Sequence, residues 1–314
     1  MENIGNIIEG VLKGDKRSIA RAITIIEDGL PESDRLTSAL EPYIGRAKII
    51  GVTGPTGSGK STLIHKIVKV FRSEGLKVGV IAIDPTSPFT GGAFLGDRIR
   101  MQDLTLDNGV FIRSMATRGG LGGIAESTID AIKVLDASGI DIIIVESVGA
   151  GQLDVRISDV AHTTIVVLAP GFGDEIQAIK AGIMEIADIF IVNKADRENA
   201  DQTVLHILSV IEGSQSDWNP PIIKTVAITG EGIKELVDAI KKHWSLSKEE
   251  KQKVYARKIE AKLKEAIKRE AANKAIKLLI KHDYYKESLK MVLDGKMTIE
   301  EAARKLVGRL IKNA

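Results

Sequence analysis

The chain has 314 residues, 44% of them hydrophobic, which is enough for one large domain or two modest domains with a real core. It contains no cysteine, so disulfides, thiolate metal sites and cysteine nucleophiles are excluded. The net charge is +2, but from Lys251 to the end 18 Lys and Arg stand against 8 Asp and Glu, an excess that we interpret as a solvated helical face and not as a nucleic-acid-binding tail. With no secretion signal and no apolar run of about 18 residues, we expect a cytoplasmic protein without membrane contact.

The first 45 residues predict an N-terminal helical segment. Two short helices are expected between Ile4 and Gly29, with Gly10 and Gly14 as breaks, and a further helix between Pro31 and Pro42.

Residues 46–247 alternate between apolar strand patterns and helical patterns, which is typical of an α/β fold with a mostly parallel sheet flanked by helices. Ligands of such sheets bind at the carboxyl ends of the strands. The strands are predicted at residues 49–53, 78–83, 110–113, 140–146, 163–168, 189–192 and 222–227.

A phosphate-loop motif, G-x-x-x-x-G-K-[ST], follows the first strand and precedes a helical pattern, which is the order that this motif requires. Its glycines let backbone N–H groups close around an anion, and the helix adds the positive end of its dipole. Lys60 is predicted to reach the β- and γ-phosphates and Ser61 to bind Mg²⁺. The predicted phosphate-binding residues are Gly54, Pro55, Thr56, Gly57, Ser58, Gly59, Lys60, Ser61 and Thr62.

The sixth strand ends in an N-K-x-D motif formed by Asn193, Lys194, Ala195 and Asp196. The Asp196 carboxylate can accept hydrogen bonds from the ring N–H and the exocyclic amino group of guanine. Adenine does not present that pair of donors, and sites of this kind reject an analogue by roughly 10⁴–10⁵. A polar turn is the simpler interpretation of the motif alone, but downstream of a phosphate loop it predicts GTP.

Three carboxylates are candidates for the Mg²⁺ side of the nucleotide. Asp84 follows the second strand, Asp97 lies on the next loop, and Glu146 ends the fourth strand. Glu146 begins an E-x-x-G sequence where other GTPases carry D-x-x-G, and the N–H of Gly149 is predicted to bond the γ-phosphate. A turn or helix-capping role for Asp84 and a simple strand-end charge for Glu146 stay open as alternatives.

The sequence offers no glutamine placed to orient water as in Ras-type enzymes, which predicts weak intrinsic GTP hydrolysis that a partner accelerates. Two glycine-rich loops, residues 118–123 and 170–175, are candidates for moving parts. Lys180 is the candidate mobile cation, and Asp174 and Gln177 shape its loop. An ordinary exposed lysine is the alternative interpretation of Lys180.

Residues 248–314 predict a C-terminal helical extension. Tyr255, Ile259, Leu263 and Ile267 repeat every four residues and form an apolar stripe that is expected to pack against the body or a second subunit. The sequence at 298–301, T-I-E-E, predicts a capping box before the last helix. The five histidines lack metal-binding spacing, and we interpret them as structural.

These motifs resemble the MeaB/ArgK family of P-loop GTPases, chaperones of cobalamin-dependent methylmalonyl-CoA mutase. The resemblance covers most of the chain up to the N-K-x-D motif. It rests on residues 14–15, 53–55, 84–88, 90–98, 111–114, 118–123, 146–152, 173–182, 185–189 and 193–196.

The resemblance implies a homodimer that uses the C-terminal arm, binds the mutase, gates cofactor delivery by GTP hydrolysis and protects the mutase from inactivation. It also implies a Mg²⁺ and phosphate shell from Lys60, Ser61, Asp84, Asp97 and Glu146, and a third switch at residues 173–182. The chain departs from the family where Val226, Ala227 and Ile228 replace a Ser-Ala-Arg-like guanine loop. Loss of the hydroxyl at Val226 leaves the backbone N–H groups to contact the base.

Two other functions remain as alternatives. A metal-insertion GTPase of the same wider group is disfavoured because the chain has no cysteine. A kinase-type phosphotransferase of a transport system would need a phospho-acceptor site, and the sequence contains no recognisable one.

Overall fold

The computed structural model of the chain describes residues 3–84, 101–116, 126–147, 156–171, 186–211, 218–246, 263, 267 and 270–312. The chain divides into two compact units, Met1–Tyr255 and Ala256–Ala314. Among the described residues, the structure has no helix that is both long and apolar enough to cross a membrane.

The first unit is built on a seven-stranded sheet in the order β3-β2-β4-β1-β5-β6-β7. Every pairing between neighbouring strands is parallel, so the predicted α/β class and all seven predicted strands are confirmed. The strands are β1 Lys48–Thr53, β2 Val78–Asp84, β3 Val110–Ala116, β4 Ile142–Glu146, β5 Thr163–Leu168, β6 Ile189–Asn193 and β7 Ile222–Thr225.

Three strand ends differ from the prediction by two residues or more, each for a local reason, and three others differ by one residue. The N–H of Ile140 bonds back to the oxygen of Leu135 at the end of the preceding helix, so β4 begins at Ile142 instead of residue 140. Strand β3 continues to Ala116 because its pairing with β2 extends that far. Strand β7 stops at Thr225, since the next residue enters a turn that is closed by a bridge to Glu231.

Helices cover both faces of the sheet. On one face the core is formed with the N-terminal helices, α6 and α7, and on the other with α4 and α9. The helices of this unit are α1 Ile4–Leu12, α2 Lys16–Glu27, α3 Ser33–Leu40, α4 Lys60–Ser73, α5 Gln102–Thr105, α6 Glu126–Ala137, α7 Ile157–Val160, α8 Ala200–Ile211 and α9 Ile233–Trp244.

Strand β4 shows how the sequence addresses both faces. Ile142 and Ile144 enter the core beneath α4, whereas Ile143 and Val145 enter the core beneath the N-terminal helices. Successive strand residues point to opposite faces, so a strand covered on both sides reads as a continuous apolar run. This burial holds β4 rigidly beside β1 and fixes where its last residue, Glu146, lies.

The N-terminal helices begin at polar caps. The Asn3 side chain accepts the N–H of Gly5 at 2.9 Å, and Asp15 accepts the N–H of Ser18 at 2.8 Å. These bonds satisfy N–H groups that have no partner within a helix. Ile19 and Ile23 of α2 are buried against the sheet, so the N-terminal segment shares one core with the strands.

The described residues of the second unit form helices joined by turns. Residues 270–279 are helical and are followed by α10 Asp283–Leu293 and α11 Ile299–Lys312. The predicted capping box is present, because Thr298 N–H donates to Glu301 Oε2 and Glu301 N–H donates to Thr298 Oγ1, both at 3.2 Å. Of the predicted apolar stripe, Leu263 and Ile267 are each 57% exposed. Tyr255 and Ile259 lie outside the described residues.

Candidate functional site

The carboxyl ends of four strands, β1, β4, β6 and β7, carry predicted site residues at one edge of the sheet. Strands β1 and β5 are neighbours, but β1 is followed along the chain by β2 on one side and β5 by β6 on the other, so the segments that follow these two strands diverge. Such a point in a parallel sheet leaves a crevice for a ligand. Gly54 follows β1, Glu146 ends β4, and Asn193 and Thr225 end β6 and β7. The sequence therefore places its phosphate and base motifs at one edge.

The phosphate loop needs glycine at two positions for reasons that the structure makes visible. Gly54 has a φ of 140°, and a Cβ there would lie 2.0 Å from the backbone oxygen of Val167. Gly59 has a φ of 93°, and a Cβ there would lie 2.3 Å from Nδ2 of Asn193. L side chains rarely adopt such backbone angles, so both positions favour glycine for two reasons, the positive φ and the lack of space for a Cβ. Helix α4 begins at the next residue, with its N-terminus at the loop.

Lys60 lies over the loop that it is predicted to serve. Its Nζ donates to the backbone oxygens of Gly54 at 2.9 Å and Pro55 at 3.2 Å, and the residue is only 7% exposed. A buried ammonium held by carbonyl oxygens can exchange those acceptors for phosphate oxygens with little movement, because both are compact oxygen acceptors.

Ser61 and Glu146 form a buried pair next to Lys60. Ser61 Oγ donates to Glu146 Oε1 at 2.7 Å, and both residues are at least 93% buried. A hydroxyl and a carboxylate are oxygen ligands of the kind that Mg²⁺ prefers. The donor set therefore fits a magnesium ion between the phosphate loop and the end of β4. In the same loop, the buried hydroxyl of Ser58 has no hydrogen-bond partner in the described part of the chain, as a group facing a ligand can have.

Asn193 ties the base motif to the phosphate loop. Its Nδ2 donates to the backbone oxygen of Ser58 at 2.8 Å. Its Oδ1 accepts from Thr225 Oγ1 and from the N–H of Ala227, each at 3.1 Å. One buried amide thus links the loops that follow β1, β6 and β7.

Lys194 makes a second link. Its Nζ donates to the backbone oxygen of Gly57 at 2.7 Å, and its own φ of 58° is unusual for a residue other than glycine. Strain of this kind persists where the surroundings hold it, and it is common at binding sites. Asp196 is exposed beyond it, so its carboxylate is available to a base that enters from solvent.

Among the three predicted base-loop residues after β7, one backbone N–H makes no hydrogen bond with the described residues. The N–H of Val226 bonds the oxygen of Glu231, and the N–H of Ala227 is taken by Asn193. Ile228 is 79% exposed, and its N–H makes no hydrogen bond with any described residue. Of the three predicted base-loop residues, Ile228 therefore has the backbone donor that a base can reach without breaking a bond.

Several predicted site residues lie outside the described part of the chain. They are Asp97, Gly149, Asp174, Gln177 and Lys180. For Asp84 the structure gives only the backbone, which ends β2 at the carboxyl edge, paired with Ala116 of β3.

Sequence reasoning did not assign a role to three buried hydroxyls at this edge. Thr225 supports Asn193, as described above, and Ser147 Oγ donates to Thr53 Oγ1 at 2.9 Å. Their signal was present, since Thr53 directly precedes the phosphate loop and Ser147 directly follows Glu146. A Ser or Thr at the end of an apolar strand is so common, however, that the pattern alone does not single it out.

Comparison with known proteins gives a consistent result. The model of a family described as methylmalonyl-CoA mutase-associated GTPase MeaB matches residues 19–282. A Pyrococcus horikoshii protein named as a GTPase is 54% identical over 248 residues, which cover 77% of this chain and 78% of that protein. The Escherichia coli GTPase ArgK is 36% identical, with 74% and 73% covered. The mouse methylmalonic aciduria type A homolog is 32% identical, with 76% and 62% covered.

A solved structure supports the fold over nearly the full length. The crystal structure of a LAO/AO transport system kinase superposes with a TM-score of 0.64 and covers 98% of this chain and 97% of that one, at 24% sequence identity. At this identity the likeness concerns the architecture alone.

Proposed function

Because the chain belongs to the MeaB family of P-loop GTPases, we propose that it uses GTP as a switch to assemble, load and protect an adenosylcobalamin-dependent methylmalonyl-CoA mutase in the cytoplasm. The chain binds and hydrolyses GTP, as its family and its phosphate-loop fold establish. The match to a family described as mutase-associated, over residues 19–282, is the observation that carries the mutase part of the proposal.

The phosphate site is proposed to work with Mg²⁺. When bound, the metal would neutralise charge on the phosphates and hold them in place. Ser61 and Glu146, 2.7 Å apart and buried, would hold it, with Asp84 and Asp97 as further carboxylates of the same shell. Lys60 would turn from the carbonyls of its own loop to the β- and γ-phosphates.

The base is proposed to bind between Asn193, Lys194 and Asp196 on one side and residues 226–228 on the other. Asp196 would accept from the two guanine N–H donors, and the backbone N–H of Ile228 would donate to the guanine oxygen. Asn193 supports this arrangement because it already bonds the two loops. The loops would then respond together when nucleotide enters.

Gating is proposed to involve the N–H of Gly149 at the γ-phosphate and a third switch that contains Asp174, Gln177 and Lys180. The described part of the site contains one buried ammonium and one buried carboxylate beside the phosphate loop, Lys60 and Glu146. A slow GTPase that waits for an added cation fits this set, since supplying such a group is worth roughly 10³–10⁵ in rate in some GTPases.

A homodimer that uses the C-terminal helical extension, residues 248–314, completes the proposal. Leu263 and Ile267 of the predicted stripe are more than half exposed, as are Leu293 and Ile299 of the following helices. Exposed apolar side chains on amphipathic helices are available to a second subunit.

The experiment measures single-turnover and steady-state GTP hydrolysis with and without the mutase, for the wild type, Lys180→Ala and Lys234→Ala. Lys234 is an exposed lysine of α9 and serves as the matched control. We expect the mutase to accelerate the wild type and Lys234→Ala equally and Lys180→Ala much less.

Equal acceleration of all three proteins would remove Lys180 from the gating role. No acceleration of any of them, together with no mutase retained on the immobilised chain in the presence of a non-hydrolysable GTP analogue, would overturn the mutase proposal.

A further inference from the structure

A buried pair of hydroxyls lies directly beneath the phosphate loop. Thr53 is the last residue of β1, and Ser147 is the first residue after β4. Ser147 Oγ donates to Thr53 Oγ1 at 2.9 Å, and the two residues are 4% and 0% exposed. A polar contact that is fully removed from water is costly to leave unmade, so the two side chains hold each other.

The pair extends the sheet by one step beyond its last paired residues. The ladder between β1 and β4 ends where Val52 lies opposite Glu146. After that point, the N–H of Ser147 still bonds the oxygen of Val52 at 3.0 Å, and its hydroxyl bonds Thr53. The backbone on the carboxyl side of Glu146 is therefore held by two bonds to β1.

Glu146 is consequently fixed from both sides. The preceding residue, Val145, is fully buried in the core, and the following residue, Ser147, is bonded to β1. Its carboxylate meets Ser61 Oγ at 2.7 Å on the first turn of α4. A closed chain of contacts thus runs from Thr53 through Ser147 and Glu146 to Ser61, with the phosphate loop as its remaining side.

We propose that Thr53 and Ser147 are positioning residues for the Glu146 carboxylate and that their hydroxyl contact sets the Mg²⁺ affinity of the nucleotide site. The inference rests on the proposed magnesium site at Ser61 and Glu146. Small displacements matter there, because magnesium demands near-ideal geometry at short oxygen distances. A supporting residue that orients a metal ligand can be worth 10- to 100-fold in metal affinity.

The test uses the full chain and fluorescent mant-GDP, whose release is followed at increasing Mg²⁺ concentrations and in EDTA. The variants are Ser147→Ala and Thr53→Val, which remove a hydroxyl, and Thr53→Ser, which keeps it. Ser138→Ala is the matched control, because that serine is also buried but its hydroxyl bonds the backbone oxygen of Leu135 at the opposite edge of the sheet.

We expect Ser147→Ala and Thr53→Val to raise the Mg²⁺ concentration for half-maximal slowing of release by about three- to tenfold, the size that one net hydrogen bond predicts. Release in EDTA should be the same as for wild type. Thr53→Ser and Ser138→Ala should match wild type throughout. The double variant should be no worse than either single one, because both remove the same bond.

Two results would overturn the inference. One is a Mg²⁺ dependence in Ser147→Ala that equals that of wild type. The other is an acceleration of mant-GDP release in EDTA as large as the acceleration in Mg²⁺, which is the result expected if the variant loosens the fold as a whole. If release from the wild type itself does not respond to Mg²⁺, the proposed magnesium site fails first, and the inference fails with it.

Discussion

Both edges of the sheet bury polar side chains, but at the carboxyl edge these side chains surround a binding loop and at the amino edge they bond to one another. At the carboxyl edge, Ser61, Glu146 and Asn193 surround a glycine loop whose backbone is in unusual conformations. At the amino edge, a second set of buried polar groups bonds within a compact cluster between β5, β6 and the end of α9.

The amino-edge cluster centres on Asp188 and His243. Thr163 Oγ1 bonds His243 Nδ1 at 2.8 Å, and His243 Nε2 lies 3.5 Å from Asp188 Oδ1. The other Asp188 oxygen accepts the N–H of Thr164 at 2.8 Å, and its backbone oxygen accepts Nε1 of Trp218. The indole ring packs 5.0 Å from the imidazole.

The difference lies in what the polar groups bond. The bonds described for Asp188 and His243 are made within the fold, to a threonine hydroxyl, a backbone N–H and an indole N–H. At the other edge Lys60 occupies carbonyl oxygens of a loop that is itself a phosphate cradle. Burial of polar groups therefore identifies a binding site only when it coincides with backbone shaped for a ligand. Substitutions at either edge can break this division.

Asp196→Asn should change which base the carboxyl edge accepts. The amide donates where the carboxylate accepted, so the ratio of GTP to xanthosine triphosphate affinity should fall by about 10³ or more, as expected for a site built on paired hydrogen bonds. Competition against mant-GDP measures both affinities. Asp188→Asn, at the amino edge, is the control and should keep the wild-type preference. A shifted preference in that control would break the division between the edges.

Lys60→Ala should abolish most GTP hydrolysis while the fold persists. The change removes the buried ammonium at the phosphate loop, and the loss of one such charged donor costs about 10²–10³ in kcat. Hydrolysis is measured by phosphate release, and folding by circular dichroism. Lys48→Ala changes an exposed lysine at the amino end of β1, the strand that leads into the phosphate loop, and should leave kcat unchanged. Normal turnover in Lys60→Ala would contradict the phosphate-site assignment.

Asp188→Ala should have the reverse profile. It leaves the buried N–H of Thr164 and the His243 ring without the carboxylate, and a buried donor without its acceptor costs about 1–3 kcal/mol of unfolding free energy. Urea unfolding followed by tryptophan fluorescence suits the test, because both tryptophans lie at this edge, Trp218 against His243 and Trp244 stacked on Phe71. The mant-GDP affinity of the folded protein should not change. A parallel loss of nucleotide affinity would couple the two edges.

The sequence predicted the carboxyl edge far better than the amino edge. The phosphate loop is contiguous, and Asn193 and Lys194 form a local motif after a strand, so spacing along the chain was enough. The apolar runs that form β1 to β7 also predicted the parallel sheet, because strands that are covered on both faces appear in the sequence as nearly continuous hydrophobic runs.

The amino-edge cluster could not be predicted, because its members are far apart in the sequence. Asp188 and His243 come from different elements, and nothing near either residue indicates the other. The contact between Thr53 and Ser147 is hidden in the same way, because the two residues are 94 positions apart in the sequence. The observed start of β4 lies two residues after the predicted start, because the N–H of Ile140 closes the C-terminus of the preceding helix.

The smallest effect is expected on the flank of α4, the helix that begins at the phosphate loop, where we interpret an ion pair as a structural contact. Asp103 accepts hydrogen bonds from Lys69 Nζ at 2.7 Å and from His65 Nε2 at 2.8 Å. The bond from Lys69, followed by the bond from His65, lowers the pKa of the Asp103 carboxyl from 3.8 to about 2. Because its side chain is 52% exposed, Asp103→Asn should cost less than about 1 kcal/mol at pH 7.

The sign of the pH dependence follows from the lowered pKa. The ionised Asp103 carboxylate stabilises the folded protein above about pH 4. This stabilisation is lost as the pH falls towards 2, where the Asp103 carboxyl is protonated in the folded protein as well. The difference in unfolding free energy between wild type and Asp103→Asn should therefore shrink between about pH 4 and pH 2. Glu235→Gln, an exposed carboxylate on α9, should show no such convergence. If Asp103→Asn instead reduced kcat for GTP hydrolysis at pH 7 by about tenfold, the ion pair would contribute to catalysis. It would then belong to the nucleotide-binding edge and not to the structural contacts.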